Sequence, residues 1–143
     1  MKSAMHEYPY EVPIEVRFRD IDAMHHVNNA VYVTYFEHGR AAFFRDVFGV
    51  REVADIDFIV ARVEVDYRRP VLLSDSILLQ LRVGDVGRSS FSVEYRLLAS
   101  GEVAAQGRTV QVFYDFEKRE KKPVPAGFLE KVRPYTSGGG SPC

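Results

Sequence analysis

The sequence predicts an α+β domain in which a curved, mainly antiparallel five-stranded sheet wraps round one long central helix. Apolar residues recur with a helical period in only one long stretch, residues 30–48, and the other patterned segments have the two-residue period of strands. The later strands follow one another through short turns, as antiparallel strands do. A single apolar helix and a single sheet bury each other only if the sheet curls round the helix.

Length and composition indicate one domain. The 143 residues are enough to bury a core, and we assign residues 1–135 to the domain and 136–143 to a flexible tail. The net charge of −1 gives no general attraction to nucleic acid or to an acidic membrane. The one cysteine, Cys143, excludes an intrachain disulfide, and no apolar run approaches the roughly 18 residues that span a bilayer. With no signal-peptide pattern at the N-terminus, we expect a cytoplasmic protein.

The first two elements are a strand and the helix. Residues Glu11 to Asp20 alternate between apolar and charged side chains with a proline near the start, which is typical of a half-buried strand near a sheet edge. The helical pattern that follows is so apolar that we expect the helix to be largely enclosed. Asn28 or Asn29 is the predicted N-cap, and Gly49 the residue just past the C-terminus.

Four strands are predicted after the helix. The inward side chains of the second strand are Val63, Val65 and Tyr67, and Pro70 ends it. The third and fourth strands carry apolar residues at every second position in 77–83 and 91–97, and Ser100-Gly101 forms a two-residue hairpin turn. The last strand covers 102–115 with Gly107 as a candidate bulge, and a short helix is expected within 125–132.

A cluster of polar residues precedes the central helix. Two aspartates, two histidines and two asparagines fall within ten residues: Asp20, Asp22, His25, His26, Asn28 and Asn29. The N–H groups at a helix start have no partner within the helix, and the helix dipole is positive there. The cluster therefore lies where a developing negative charge would be stabilised.

These residues carry a family resemblance. Asp20-x-Asp22, the tetrapeptide 26–29 (His-Val-Asn-Asn) and three helix residues, Tyr32, Tyr35 and Glu37, resemble the hotdog-fold acyl thioesterases of the 4-hydroxybenzoyl-CoA thioesterase-like group. The resemblance covers roughly Val12 to Phe116 and implies that Asp22 is the catalytic carboxylate. Thioester hydrolysis uses such a group as a general base or as a nucleophile, and the sequence leaves both routes open.

Part of the cluster is also similar to plant acyl-ACP thioesterases. These enzymes have an aspartate four residues before the histidine, which Asp22 and His26 match, and an asparagine two residues before it, where this chain has Met24. The full Asp-Asn-His set is therefore absent. We assign His26 and Asn29 as helpers of Asp22 and the main-chain N–H groups of His26 and Val27 as oxyanion donors.

Several residues have a structural interpretation beside the catalytic one. Asp22 itself is of a type that caps turns. Asp20 is expected to pair with Arg17 or Arg19, or to end the strand, and His25 receives no role. Glu37 is expected to form an ion pair with Arg40, although a helix-borne carboxylate is also a rival base.

Substrate contacts are predicted at two places. Tyr32 and Tyr35 suit the walls of an acyl or aromatic acyl pocket. Arginines at turns suit the phosphates of coenzyme A, although arginines at strand ends are often merely solvated. The predicted phosphate contacts are Arg68, Arg69, Arg88 and Ser89.

Taken with the resemblance, the sequence predicts an acyl-CoA thioesterase acting on a short, medium or aromatic acyl group. It implies no metal ion or redox cofactor, an acyl-CoA or acyl-ACP substrate as partner, and no nucleic-acid or membrane partner. The uncovered face and edge of the sheet favour a dimer, and the resemblance, which places the site at a subunit interface, implies a homodimer or a dimer of dimers. The alternatives are a non-catalytic acyl-binding hotdog protein and a hotdog hydratase or dehydratase. A hydratase or dehydratase of this fold would resemble enzymes with a His-Phe-Pro-type loop before the helix. Residues 25–29 (His-His-Val-Asn-Asn) do not match that loop.

Overall fold

The computed structural model describes residues 7–136. Its strands are β1 (Tyr10–Ile14), β2 (Phe58–Tyr67), β3 (Ile77–Val86), β4 (Ser90–Ala99), β5 (Glu102–Asp115) and β6 (Glu120–Lys121). Its helices are α1 (Val31–Phe48) and α2 (Phe128–Val132), with 3-10 turns at Phe18–Asp20, Val53–Asp55 and Arg133–Tyr135. Most of the predicted tail, Cys143 included, lies outside the described residues, while Thr136 forms a parallel bridge with Val83.

The sheet has the strand order β1-β3-β4-β5-β2, and every neighbouring pair is antiparallel. It curls into a half-barrel round α1, which confirms the predicted fold. The two-residue β6 pairs with β5 and is an addition to the predicted five strands. The strands β1 and β2 are the two edges of the main sheet.

The core lies between α1 and the concave face of the sheet. The helix contributes the fully buried side chains of Phe36 and Phe43. The ring of Phe36 stacks on the ring of Tyr95, with 4.3 Å between the ring centroids and an interplanar angle of 7°. The inward residues of β3 and β4 are buried as the alternation predicts. They are Ile77, Leu79, Leu81, Val83, Phe91, Val93, Tyr95 and Leu97.

Two glycine predictions have different outcomes. Ser100 and Gly101 have φ values of 49° and 87°, so the predicted hairpin turn is confirmed. Gly107 is not a bulge, because it pairs in register with Val65 and Tyr95. A side chain at position 107 would collide with the ring of Phe36, so this glycine lets the helix approach β5.

The ends of α1 are set by two local features. Ala30, not Asn28 or Asn29, is the N-cap, and the Asn28 side chain instead accepts the Ala30 N–H through Oδ1 at 2.9 Å. The predicted C-terminal glycine is confirmed: Gly49 has a φ of 71°, and its N–H bonds to the Arg45 carbonyl at 3.1 Å.

The first strand is shorter than predicted. It ends at Ile14, and Phe18, an inward residue in the alternating pattern, is 83% exposed. The chain turns there because the Asp20 carboxylate accepts the Arg17 N–H at 2.9 Å while the Asp20 N–H bonds back to the Arg17 carbonyl at 2.9 Å. This local pairing competes with strand extension.

One side of the helix and the neighbouring edge strand remain uncovered. The side chains of Val60, Val63 and Tyr67 on β2 are 39%, 41% and 45% exposed. The outer face of α1, which includes Thr34 and Glu37, is also exposed, so the prediction of a largely enclosed helix is wrong for a single chain. Within residues 7–136, neither helix has the length and apolar character needed to cross a bilayer.

Candidate active site

A tight loop before α1 presents the polar cluster. Ile21 and Val27 form an antiparallel bridge, and the Asp22 N–H donates to the His26 carbonyl at 3.1 Å. The His25 N–H donates to the Asp22 carbonyl at 2.9 Å, and His25 adopts a left-handed φ of 72° at the exposed tip. The four-residue spacing of Asp22 and His26 therefore reflects the two sides of one small loop.

The Asp22 carboxylate is held by one hydrogen bond to each oxygen. Oδ1 accepts the Met24 N–H at 2.9 Å, and Oδ2 accepts the side-chain Nδ2 of Asn28 at 3.0 Å. The first bond is the turn contact typical of aspartate, and the second orients the carboxylate toward the helix start. Each oxygen keeps acceptor capacity, which a base or a nucleophile requires.

Asn28 is the partner of Asp22 that the sequence interpretation missed. Besides its bond to Asp22, its Oδ1 accepts the Ala30 N–H, and its main-chain carbonyl accepts the Val31 N–H at 2.9 Å. One asparagine therefore joins the carboxylate to the first residues of α1. The sequence signal for this role is the position of Asn28 within the polar cluster, where its residue type favours helix capping.

A small pocket of about 260 Å³ lies beside this loop, at the N-terminal end of α1. It brings together five residues that the sequence singled out: His26, Asn29, Tyr32, Arg68 and Arg69. Tyr67 and Pro70 complete its lining. Asp22 is not part of the lining, so the carboxylate lies beside the pocket.

The tyrosines of the cluster have different surroundings. Tyr32 is 2% exposed, and its ring packs edge-on against that of Tyr67, with the centroids 4.8 Å apart. Burial raises the pKa of both phenols. Tyr35 does not line the pocket: it is buried in the core and donates to Asp20 Oδ2 at 2.8 Å, and burial together with this carboxylate raises its pKa. Asp20 thus has a structural role, through the main-chain N–H of Arg17.

The two neighbouring arginines also differ. The Arg69 guanidinium bonds to both oxygens of Asp75 at 3.1 and 3.3 Å and to the Ala99 carbonyl at 2.8 Å, and its Nε lies 3.1 Å from Glu102 Oε1 in an ion pair. Because of this pairing, the pKa of Arg69 is raised and that of Asp75 is lowered. The guanidinium therefore ties the end of β2 to neighbouring segments. Arg68 is exposed, and within residues 7–136 its guanidinium bonds only to Gln106 Oε1, at 2.9 Å, while its main-chain N–H donates to the Ala104 carbonyl at 2.8 Å.

Arg88 and Ser89 lie at the other end of the molecule. The Ser89 carbonyl accepts the Phe113 N–H at 2.8 Å. Phe113 pairs with Phe58 across the β2–β5 ladder, and the Phe58 ring packs on the ring of Phe44, near the C-terminal end of α1. At a rise of about 1.5 Å per residue, α1 separates its two ends by about 27 Å. A single chain therefore does not bring Arg88 or Ser89 to Asp22.

Glu37 lies in a different groove. It is exposed on the outer face of α1 beside His38 and Arg40. The predicted ion pair is wrong, because Arg40 donates instead to the Tyr95 hydroxyl at 3.1 Å and no Glu37–Arg40 pair occurs within residues 7–136. The Tyr95 hydroxyl also lies 2.6 Å from the Thr109 hydroxyl, so both buried hydroxyl groups have a hydrogen-bond partner beneath the helix.

Of the two predicted oxyanion donors, the Val27 N–H is already bonded within residues 7–136 and the His26 N–H is not. The Val27 N–H donates to the Val71 carbonyl at 2.8 Å and is not available to a substrate. The His26 N–H has no hydrogen-bond acceptor in the described part of the chain. Its ring Nδ1 lies 3.2 Å from the Val27 carbonyl. Across residues 7–136, no three histidine, cysteine, aspartate or glutamate side chains converge as a metal ion requires.

The fold and the polar loop define a class of protein. The family model of the thioesterase-like superfamily matches residues 16–132, and this chain belongs to that family. Its half-barrel round one helix is the hotdog fold of the family's thioesterases.

Individual relatives agree with this assignment. The long-chain acyl-CoA thioesterase FadM of Escherichia coli is 27% identical over 126 residues, which cover 85% of this chain and 96% of that protein. A 1,4-dihydroxy-2-naphthoyl-CoA hydrolase of Synechococcus elongatus is 29% identical over 66 residues, 46% of this chain and about half (48%) of that protein. A Thermus thermophilus thioesterase solved with coenzyme A and Zn is 40% identical, with a TM-score of 0.80 and coverage of 90% of this chain and 95% of that one.

Proposed function

We propose that this protein is an acyl-CoA thioesterase that hydrolyses an acyl thioester to the free acid and coenzyme A. The observation that carries the proposal is the Asp22 carboxylate, held by Met24 and Asn28 beside a pocket at the start of α1. The family's named relatives act on acyl-CoA thioesters, which fits this arrangement. Short, medium and aromatic acyl groups all remain within the proposal.

Asp22 is the proposed reacting group. As a general base it would take a proton from water while the water oxygen attacks the thioester carbon; as a nucleophile it would form an anhydride that water then opens. In both routes the C–S bond breaks and the thiolate of coenzyme A leaves. Negative charge develops on the carbonyl oxygen, and the His26 N–H and the positive end of the α1 dipole would stabilise it.

His26 and Asn29 are the proposed helpers, since both line the pocket beside Asp22. The imidazole would orient water or polarise the carbonyl, and the Asn29 amide would hold the water or the acyl oxygen. Tyr32 would contact the acyl group, and the exposed Arg68 would contact a phosphate of coenzyme A. Arg69, whose terminal guanidinium nitrogens already donate to Asp75 and the Ala99 carbonyl, is proposed as support for this segment.

We further propose a homodimer formed along the β2 edges. This edge has unpaired backbone groups and four exposed large apolar residues, Ile59, Val60, Val63 and Tyr67, whereas the convex face of the sheet carries charged pairs such as Arg82–Glu94 at 2.7 Å. Antiparallel pairing about a twofold axis would place the Phe58 end of one β2 beside the Tyr67 end of the other. Arg88 and Ser89 of one subunit would then lie on the same side as the pocket of its partner.

The test is a hydrolysis assay with a panel of short, medium, long and aromatic acyl-CoA thioesters and matching acyl-ACP. We expect wild-type turnover of at least one thioester, and loss of about two orders of magnitude or more in kcat for Asp22→Asn, because removing a general base costs about 10²–10⁴-fold. Glu37→Gln is the matched control and should retain activity. If Asp22→Asn were fully active, the mechanism would be wrong and Glu37 would become the base. If no thioester reacted, the non-catalytic acyl-binding alternative would gain support.

A further inference from the structure

Tyr67, at the end of the edge strand β2, makes two contacts with the pocket that the chemistry above does not use. Its side chain is 45% exposed, yet its hydroxyl donates to the Asn29 main-chain carbonyl at 2.8 Å. Its ring packs on Tyr32 with an interplanar angle of 82°. An exposed phenol can bond water freely, so a short bond to one main-chain carbonyl indicates a specific contact.

The Asn29 carbonyl depends on this bond. Its other partner is the Tyr32 N–H at 3.4 Å, which is longer than the 2.7–3.2 Å usual for N–H···O bonds. The peptide between Asn29 and Ala30 is therefore held at its carbonyl mainly by Tyr67, while its N–H donates to Asn28 Oδ1 at 2.9 Å, so this peptide links Tyr67 to the Asn28 side chain. Because the side chain of Asn28 holds Asp22 Oδ2 at 3.0 Å, displacement of the Asn29 backbone would displace the carboxylate's partner.

We propose that Tyr67 is a positioning residue for the Asn28–Asp22 pair, and that its ring is a wall of the pocket that contacts the bound substrate. This inference rests on the proposed thioesterase function. The hydroxyl would act on kcat through Asn28, and the ring would act on KM through the shape of the pocket. A phenol is protonated at neutral pH because its ordinary pKa is about 10, and burial raises the pKa of Tyr67, so the hydroxyl is able to donate.

The first experiment compares Tyr67→Phe with wild type on the best acyl-CoA of the panel. Loss of the hydroxyl should lower kcat about five- to tenfold with KM changed less than twofold, the size expected for one hydrogen bond. Tyr10→Phe is the matched control, since it removes a comparable phenol bond, to Asp46 at 2.5 Å, on the far side of α1, and should leave kcat unchanged. Tyr67→Ala should in addition raise KM for a bulky acyl group, because the contact between the ring and the substrate is lost.

A double-variant cycle distinguishes positioning from a direct effect. If Tyr67 acts through Asn28, the Asn28→Ala/Tyr67→Phe enzyme will be no slower than Asn28→Ala, since both changes remove the same constraint. The side-chain amide signals of Asn28 in a ¹⁵N spectrum should also shift in Tyr67→Phe but not in Tyr10→Phe. Independent, multiplicative losses in kcat, or unchanged Asn28 signals, would overturn the inference. An active wild type with a fully active Tyr67→Phe would reject the role of Tyr67 while leaving the thioesterase proposal intact.

Discussion

Replacement of Gly107 by alanine is the sharpest test of how the helix is seated on the sheet. A Cβ at this position would collide with the Phe36 ring and lie 2.8 Å from the Glu64 carbonyl oxygen. Phe36 is fully buried and stacked on Tyr95, and the Glu64 carbonyl belongs to the neighbouring strand, so neither group has room to move.

The expected cost follows from these contacts. Overpacking a core costs about 1–3 kcal/mol, and the rigidity of both neighbours places Gly107→Ala near the upper end. The smaller conformational freedom of alanine in the unfolded chain returns about 0.4–1 kcal/mol. We therefore expect a net loss of about 2 kcal/mol in the free energy of unfolding, which at roughly 2–4 °C per kcal/mol lowers Tm by about 4–8 °C.

Urea unfolding followed by far-UV circular dichroism measures this loss, because the chain has no tryptophan for fluorescence. Gly87→Ala is the matched control: it lies in an exposed turn, its added Cβ would first meet the Ser90 hydroxyl at 3.2 Å, and stability should stay within about 0.5 kcal/mol of wild type. A Gly107→Ala protein as stable as wild type would show that the contact between α1 and β5 is looser than described.

Three further predictions concern the site and its support. Asn28→Ala should lower stability by about 1 kcal/mol in thermal unfolding, because the Ala30 N–H loses its acceptor, and should lower kcat at least tenfold; unchanged turnover would show that Asp22 does not need this partner. Asp75→Asn should cost about 1–2 kcal/mol at pH 7, because the charge-assisted bonds to Arg69 become neutral ones. Since the pKa of Asp75 is lowered in the folded state, this difference should be complete above about pH 5 and shrink as the pH falls below about 4; a difference independent of pH would contradict the ion pair. Arg68→Ala should raise KM for acyl-CoA several-fold with kcat nearly unchanged, and an effect that persists at high salt would argue against a phosphate contact.

Local sequence patterns predicted the elements well where one physical cause dominates. The bounds of β5, the left-handed Gly49 and the Ser100-Gly101 turn all follow from alternation or from φ preferences that a few neighbouring residues decide. The predicted length of the first strand was wrong because a hydrogen bond from the Arg17 N–H to the Asp20 carboxylate turns the chain before the alternating pattern ends. The exposure of Val63 was missed because alternation identifies a face of a strand, not whether anything covers it.

The site shows the same division. The cluster at 20–29 marked the loop that lies beside the pocket at the start of α1, because polar side chains before an apolar helix are visible in sequence. The sequence does not show which asparagine bonds to the Asp22 carboxylate, because that contact depends on how the Ile21–Val27 bridge folds the loop back. Tyr67 was missed because it is 38 residues from its partner Asn29 and looked like an ordinary strand residue. The oxyanion role of Val27 failed for a related reason: the acceptor of its N–H is Val71, on a distant segment.

The sequence by itself determined that a curled antiparallel sheet wraps round one apolar helix, and that a carboxylate, a histidine and two asparagines stand at the start of that helix. These features depend on periodicity and on neighbours within a few residues. Only the tertiary structure decided that Asn28 holds Asp22, that Arg69 is neutralised by Asp75, that Arg88 lies at the opposite end, and that Tyr67 reaches the helix start. Each of these depends on side chains brought together across the fold, where distance in space is not set by distance along the chain.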